Sequence, residues 1–325
     1  MNELIIYLKL TNRCQLRCQH CYNAVSKFND DLSVNTLKQA VSFINNKTLT
    51  NNVTLILHGG EPLYDGIQKS QFVIDNVDKK VNLYITTNLM YNIDEKTLNF
   101  FKQFKLISTS WDYKIRFRTK QQLKLWENNV RKLTKSNINI QPIVSLNKYL
   151  INEIKSDALF SYFKQFNISK LNFERITETG NAAKFNVKAN NSDIDKWLYN
   201  AYIENINRFN FTIPLFESCE EAVFHNNLIG CRKRQCQKKI ITINTDGTIC
   251  GCPNSYQFTY GDIYGKTNVD VYNSLITKEL IRNNNCYICQ YFKYCNGDCC
   301  QLNWDETGCP GMPSIFEYLI NKAGN

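Results

Sequence analysis

Three cysteines fall within eight residues of one another in Cys14-Gln15-Leu16-Arg17-Cys18-Gln19-His20-Cys21. Three thiolates on one loop can hold a metal centre and leave one coordination position open. That suits an iron-sulfur cluster that must bind a further ligand, whereas closed iron-sulfur and zinc sites take four protein ligands. On these residues alone, a zinc site completed by His20 or by a distant residue is the alternative. A second group lies far along the chain: Cys286-x2-Cys289-x5-Cys295-x3-Cys299, with Cys309 downstream and Cys231, Cys236 and Cys252 upstream. Quartets at such spacing build iron-sulfur clusters or structural zinc sites.

The distribution of the 14 cysteines supports metal ligation over disulfides. Three lie between Cys14 and Cys21, none between Cys21 and Cys219, and eleven from Cys219 onward. A disulfide-stapled secreted fold would not leave its middle bare. The N-terminal apolar run Leu4-Ile5-Ile6-Tyr7-Leu8 is too short for a signal-peptide core or a membrane span, so a cytoplasmic location is expected, with thiols kept reduced. With 43% hydrophobic and 21% charged residues the chain has material for a core and no compositional case for disorder. The net charge of +10 favours an acidic partner, but the basic residues are dispersed. The one basic knot, Cys231-Arg232-Lys233-Arg234-Gln235-Cys236, sits between cysteines, and no nucleic-acid motif accompanies it, so nucleic-acid binding is not expected.

The elements that must position these groups alternate. Leu4 to Leu10 reads as a buried strand that stops just before Cys14. Ser33 caps a helix with Leu37, Ala40, Val41 and Ile44 at helical spacing, and Val53 to Leu57 is the next strand, running into His58-Gly59-Gly60-Glu61-Pro62. Helix, strand, helix, strand follow over Gln68 to Val77, Val81 to Thr86, Asp94 to Phe101 and Leu106 to Ser110. A helix from Gln121 to Ser136, a strand from Ile138 to Leu146, a helix from Ile151 to Phe166 and a strand from Lys170 to Ile176 complete six units. Such alternation implies right-handed crossovers and a parallel sheet, and six units predict a partial (β/α)6 TIM-like barrel with its chemistry at the strand ends. After a helix near Asp193 to Asn207 the pattern loosens into a cysteine-rich annex of short strands and loops. The division is placed near residue 212, giving residues 1–211 and 212–325 as two parts that pack together.

The spacing Cys14-x3-Cys18-x2-Cys21, with His20 in the aromatic position before the third cysteine and Tyr22 after it, resembles the signature of the radical S-adenosylmethionine (SAM) superfamily. The resemblance implies a 4Fe-4S cluster whose open iron is chelated by the amino and carboxylate groups of SAM. Gly59-Gly60-Glu61-Pro62 looks like the superfamily's motif for holding the SAM amino group, with Glu61 as an acceptor. Thr86-Thr87-Asn88 and Ser108-Thr109-Ser110-Trp111-Asp112 resemble segments near the SAM ribose and methionine, which implies Thr87, Asn88, Ser110 and Asp112 as binding residues. Arg116 and Arg118 are the candidates for the SAM carboxylate, with Arg118 taken as the ligand. Thr179-Gly180-Asn181-Ala182 resembles the ending of the sixth strand. The C-terminal cysteines are similar to the SPASM extension of peptide-modifying members of that superfamily. This implies two auxiliary 4Fe-4S clusters, one on Cys231, Cys236, Cys252 and Cys299 and one on Cys286, Cys289, Cys295 and Cys309, with Cys250 and Cys300 as alternates and Cys219 left over as a buried thiol.

The family's chemistry implies an oxidoreductase that cleaves SAM reductively and abstracts hydrogen from a ribosomally made precursor peptide, installing a cyclophane carbon-carbon link, a thioether or a related modification. A flavodoxin or ferredoxin would supply electrons. Sulfatase maturation is disfavoured, because Pro253 stands where that branch has an Asp after the auxiliary cysteine. The first strand begins near Leu4, which leaves no room for an N-terminal leader-binding domain, and the +10 charge suits an acidic leader. The alternatives are the same chemistry on a small molecule and, in a different class, a structural metal-binding or electron-transfer protein.

Overall fold

The computed structural model describes residues 2–25, 30–255 and 258–324. Six parallel strands lie side by side in chain order: β1 (Asn2–Thr11), β2 (Asn51–Gly59), β3 (Asn82–Thr86), β4 (Leu106–Trp111), β5 (Ile140–Leu146) and β6 (Asn172–Arg175). The crossovers carry α1 (Val34–Lys47), α2 (Gln68–Asn76), α3 (Glu95–Phe101), α4 (Lys120–Lys135), α5 (Lys148–Glu153) and α6 (Ser156–Lys164). This is the partial (β/α)6 barrel that the alternation predicts. Several helices begin at side chains suited to the task. The Ser33, Asp94 and Thr119 side chains accept hydrogen bonds from the backbone N–H groups of Thr36, Thr97 and Gln122, satisfying donors that the first helical turn leaves unpaired.

Two expectations need correction. The single helix read over Ile151 to Phe166 is two. Asn147 caps α5 directly off β5, and the chain turns extended at Ile154 before α6 presents Leu159, Phe160 and Phe163 to the sheet. The later part of the chain also has more helix than its composition suggests. The helices Pro214–Phe224 and Pro313–Ala323 both pack on Asn191–Glu204, burying Phe216, Ala222, Ile315, Phe316 and Leu319.

The annex also extends the barrel's own sheet. β7 (Ile240–Ile243) pairs parallel with β1, and β8 (Thr248–Cys250) and β9 (Gly261–Asp262) follow antiparallel, giving the order β6-β5-β4-β3-β2-β1-β7-β8-β9. The parts divided near residue 212 therefore share one nine-stranded sheet. Among the described residues no helix is long and apolar enough to cross a membrane.

The strands have two unlike faces. Leu4, Ile6, Leu8, Leu10, Val53, Leu55, Leu57, Ile107, Val144 and Phe173 point outward into the helical layer and are buried. The alternate positions form the inner wall: Tyr7 and Lys9 on β1, His58 on β2, Thr86 on β3, Ser108 and Ser110 on β4, and Glu174 on β6. Most of this wall is half-open to water, so the barrel has a polar, accessible lumen. Stability resides in the outer layer. There Trp126 is fully buried, donates to Thr109 Oγ1 at 3.0 Å and packs against Phe117, Phe163 and Phe166. Trp126→Ala should lower the unfolding free energy in urea by about 3–5 kcal/mol, the range for emptying a large aromatic site.

Candidate active site

The loop that leaves β1 carries Cys14, Cys18 and Cys21 at the C-terminal mouth of the barrel, where this architecture places reactive groups. Its backbone is held from the neighbouring strand. Gly60 N donates to Thr11 O at 2.7 Å and Glu61 N to Arg13 O at 2.8 Å. Gly59 and Gly60 make this possible, because a Cβ on either would run into the Thr11 or Arg13 carbonyl. The glycines read as room for a ligand are thus occupied by the cysteine loop itself. From the far side of the barrel Asn181 donates through N to Cys21 O and through Nδ2 to Cys18 O, both at 3.0 Å. The Cys14 sulfur accepts from Leu16 N and Asn88 Nδ2, each at 3.4 Å.

Glu61 has a role different from the one expected. Its carboxylate is fully buried and already accepts three bonds, from Thr87 Oγ1 at 2.8 Å, Asn88 N at 2.7 Å and Leu63 N at 3.2 Å. It is a strut joining the β2 and β3 loops rather than a free acceptor for an ammonium group. Through it Thr87 and Asn88, both buried, are set beside Cys14. Pro62 is buried in the same turn.

At the end of β4, Asp112 is buried and accepts from Ser145 N at 2.9 Å and Arg116 Nε at 2.5 Å, with His20 Nε2 at 3.3 Å. Burial alone would raise its pKa, but His20 and Arg116 hold it well below the usual carboxylate range. Arg116 is in turn the cation nearest the cysteines. Burial pushes the Cys18 thiol up to about 12, and Arg116 acts against that shift. Arg118 is exposed, and its guanidinium donates to Arg17 O at 3.4 Å, on the outside of the cysteine loop. The arginine at the site is therefore Arg116, since the turn after Asp112 aims that side chain inward and the one two residues on outward. Ser110 stands on the inner wall of β4, one pleat below Asp112.

Beside the cysteines, the lumen wall gathers Tyr22, a candidate from the sequence, with Tyr7, Lys9, His58 and Glu174, which were not proposed as site residues. The Tyr22 hydroxyl lies 3.2 Å from His58 Nε2, and the Tyr7 ring meets the His58 ring edge-on at 5.6 Å. Burial, then Lys9, lowers the His58 pKa to about 3, so the imidazole is neutral at ordinary pH. Glu174 faces the lumen from β6, open to water yet walled by protein; that enclosure, followed by the Asp112 charge, raises its pKa.

The annex cysteines also converge. The Cys231 thiol is within hydrogen-bonding reach of Cys236 and Cys299, and Cys252 neighbours both Cys299 and Cys236. Cys300 lies against Cys299, whereas Cys250 turns away toward Thr242 and Asn244. Cys286, Cys289, Cys295 and Cys309 line one small cavity with Trp304 and Gly311. Cys219 is fully buried on the helix Pro214–Phe224. Among the described residues no three His, Cys, Asp or Glu side chains are spaced to close on a single ion. Zinc holds thiolates through bonds of about 2.3 Å, while an iron-sulfur cluster seats its ligands around a larger cage.

Native anSMEcpe with bound AdoMet and Kp18Cys peptide superimposes with a TM-score of 0.80 at 19% identity, over 99% of both chains. Streptococcus suis SuiB bound to precursor peptide SuiA gives 0.66 at 16% identity, over 92% of this chain and 72% of that one. The chain has the fold of these two structures. A family model described as a 4Fe-4S single cluster domain matches residues 6–132, short of half the chain. Over 63 residues the sequence is 44% identical to an uncharacterised protein of Methanocaldococcus jannaschii, a match that takes in 19% of this chain and spans only 20% of that relative.

Within this fold the donors fit the groups that the sequence implies. The Cys14, Cys18 and Cys21 thiols lie near one another, and His20 Nδ1 is buried without a partner in the same loop, an unmet polar atom available to a ligand. The lumen residues carried a local signal in the alternation of Tyr7 and Lys9 along β1, which reads as a strand with one polar face. The strut also has a pH signature. Burial raises Glu61 from its usual 4.5 to about 7 against the three bonds it accepts. Between those values the unfolded chain has released this proton while the folded chain keeps it. Stability should therefore fall as pH rises from about 4.5 to 7, by roughly 3 kcal/mol at about 1.4 kcal/mol per unit. Glu61→Gln should flatten that slope in urea melts of the metal-free protein across this range.

Proposed function

We propose that this chain is an enzyme that binds SAM at a 4Fe-4S cluster held by Cys14, Cys18 and Cys21 and abstracts hydrogen from a ribosomally made peptide. The observation that carries the proposal is the set of three neighbouring thiols at the barrel mouth, with Arg116 and the unpartnered His20 Nδ1 beside them. When bound, such a cluster supplies the electron that splits SAM into methionine and a 5'-deoxyadenosyl radical. The chain's own residues do the rest. Glu61 and Asn88 fix the cysteine loop, Asp112 orients His20 and Arg116, and Arg116 lends positive charge to a site that must hold thiolates and a substrate carboxylate. Ser110 stands on the inner wall of β4, where SAM would lie, Thr87 is buried and bonded to Glu61 and Tyr91, and Tyr22, with His58, lines the lumen.

Two auxiliary 4Fe-4S clusters are assigned to Cys231, Cys236, Cys252 and Cys299 and to Cys286, Cys289, Cys295 and Cys309. Support comes from the convergence of each quartet and from Cys250 pointing away. Peptide is the favoured substrate class because the half-open lumen admits a chain segment and because two chains of this fold, anSMEcpe and SuiB, hold peptides. A crosslink is favoured over sulfatase maturation because Pro253 follows Cys252. A flavodoxin or ferredoxin is the proposed electron donor, and the cytoplasm, which keeps thiols reduced, the proposed compartment.

Anaerobic reconstitution with iron and sulfide, followed by SAM and a strong reductant, should yield 5'-deoxyadenosine, and its absence would sink the enzyme reading. Substituting Ala at Cys14, Cys18 and Cys21 together should abolish that product while the C-terminal iron remains. Co-expression with each short peptide encoded beside the gene should give one that loses two hydrogens by mass spectrometry. SAM cleavage with every such peptide unchanged would point instead to a small molecule.

A further inference from the structure

Two buried carboxylates grip the amides of two cysteines in one auxiliary quartet. Asp298 Oδ1 accepts the Cys299 N–H at 2.7 Å. Glu279 accepts the Cys236 N–H at 2.5 Å through Oε1 and the Gln237 N–H at 3.0 Å through Oε2. Asp298 and Glu279 are 1% and 3% exposed. An amide spent on a carboxylate is withheld from the sulfurs of a cluster, where such donors favour the reduced, more negative state.

Asp298 is also the centre of a buried charge network. Arg175, the last residue of β6, binds it with both nitrogens, Nη2 to Oδ1 at 2.7 Å and Nη1 to Oδ2 at 3.1 Å, and reaches Pro310 O at 2.6 Å. Arg232 Nη2 meets Asp298 Oδ2 at 3.2 Å and the Cys219 sulfur at 3.4 Å, and its other nitrogen bonds Ser218 Oγ. Both oxygens of the buried Asp298 are thus engaged by guanidinium groups, a carboxylate paired with two fixed cations. The chain from Cys295 to Cys299 passes from one quartet to the other, and Asp298 lies on that bridge. Two guanidinium groups and one carboxylate thus sit between the auxiliary sites. One of those guanidiniums belongs to the barrel wall, next in sequence to lumen-facing Glu174.

We propose that Asp298, Arg175 and Arg232, together with Glu279, are positioning residues that set the reduction potential of the cluster on Cys231, Cys236, Cys252 and Cys299 and lock it to the last strand of the barrel, an assignment that rests on the iron-sulfur reading above. Charges in a dry interior act on a nearby redox centre with little screening. Reduction adds negative charge to the cluster. A neighbouring carboxylate therefore opposes it and a neighbouring guanidinium assists it.

The test uses the full chain carrying Ala at Cys14, Cys18 and Cys21, reconstituted anaerobically, so that only auxiliary clusters contribute. The cluster signal is followed by electron paramagnetic resonance during potentiometric titration, and the relevant signal is the one that Cys236→Ala removes. Asp298→Asn and Glu279→Gln keep an acceptor for the amide but lose the charge, and should shift the midpoint upward. Arg175→Gln and Arg232→Gln should shift it downward. Iron content should stay unchanged throughout. A merely structural role would lower iron content or melting temperature without producing shifts of opposite sign. Midpoints that do not move, that all move one way, or clusters lost from every variant would overturn the proposal. If Asp298→Asn fails to fold, Glu279→Gln and Arg175→Gln decide by the sign of their shifts. If the parent protein takes up no C-terminal iron, the iron-sulfur reading itself falls, an outcome told apart by iron analysis before any titration.

Discussion

Burial of thiols that must ionise is the constraint on which the rest of this structure depends. Cys14 and Cys18 lie where the protein excludes water, and that environment alone keeps them protonated. They can serve as ligands only where positive charge compensates. Arg116 supplies part of it from the chain, and a bound cluster's iron would supply the remainder. The same logic recurs in the annex, where Cys252 is pushed up by burial and Arg175 stands near Cys299 and Cys231 of the same quartet. Around both regions the protein places fixed, hydrogen-bonded charges rather than mobile ones.

Fixed charges need rigid supports, and the barrel divides that labour between its two faces. The outer face of each strand is apolar and packed under helices, which gives the sheet its stability. The inner face is polar and half-open, so it contributes little to stability and is available for binding. Loops at the strand ends are tied to one another by main-chain bonds, by side chains such as Glu61 and Asn181, and by a small apolar cluster of Ile115, Ile176, Ala182 and Val187. A loop held this way can present sulfur atoms to solvent on one side while remaining in place.

The annex is more than an appendage. β7 lies beside β1, so the strand carrying the first cysteine loop is flanked on its other edge by the strand that leads to Cys250 and Cys252. Register therefore links the barrel mouth to the auxiliary quartet through the sheet. Arg175 links them a second time, from β6 to Asp298. Tyr22, His58 and Glu174 line the lumen.

Much of this was legible in the chain itself. Cysteine spacing located both cysteine clusters and separated them. Strand and helix periodicity located six units and hence a parallel, partly closed barrel, because alternating patterns of period 2 and 3.6 follow from local backbone geometry. The residue before Cys21 and the Gly59-Gly60-Glu61-Pro62 turn marked the right loops. Whether Arg116 or Arg118 faces the cysteines, whether the Glu61 carboxylate is free or spent on Thr87 and Asn88, and that Arg175 finds Asp298 across 123 positions were decided only by the tertiary structure. The reason is physical. Spacing along a chain constrains neighbours within a few residues, whereas the partner of a buried charge is chosen by which distant strand ends the packed core brings together.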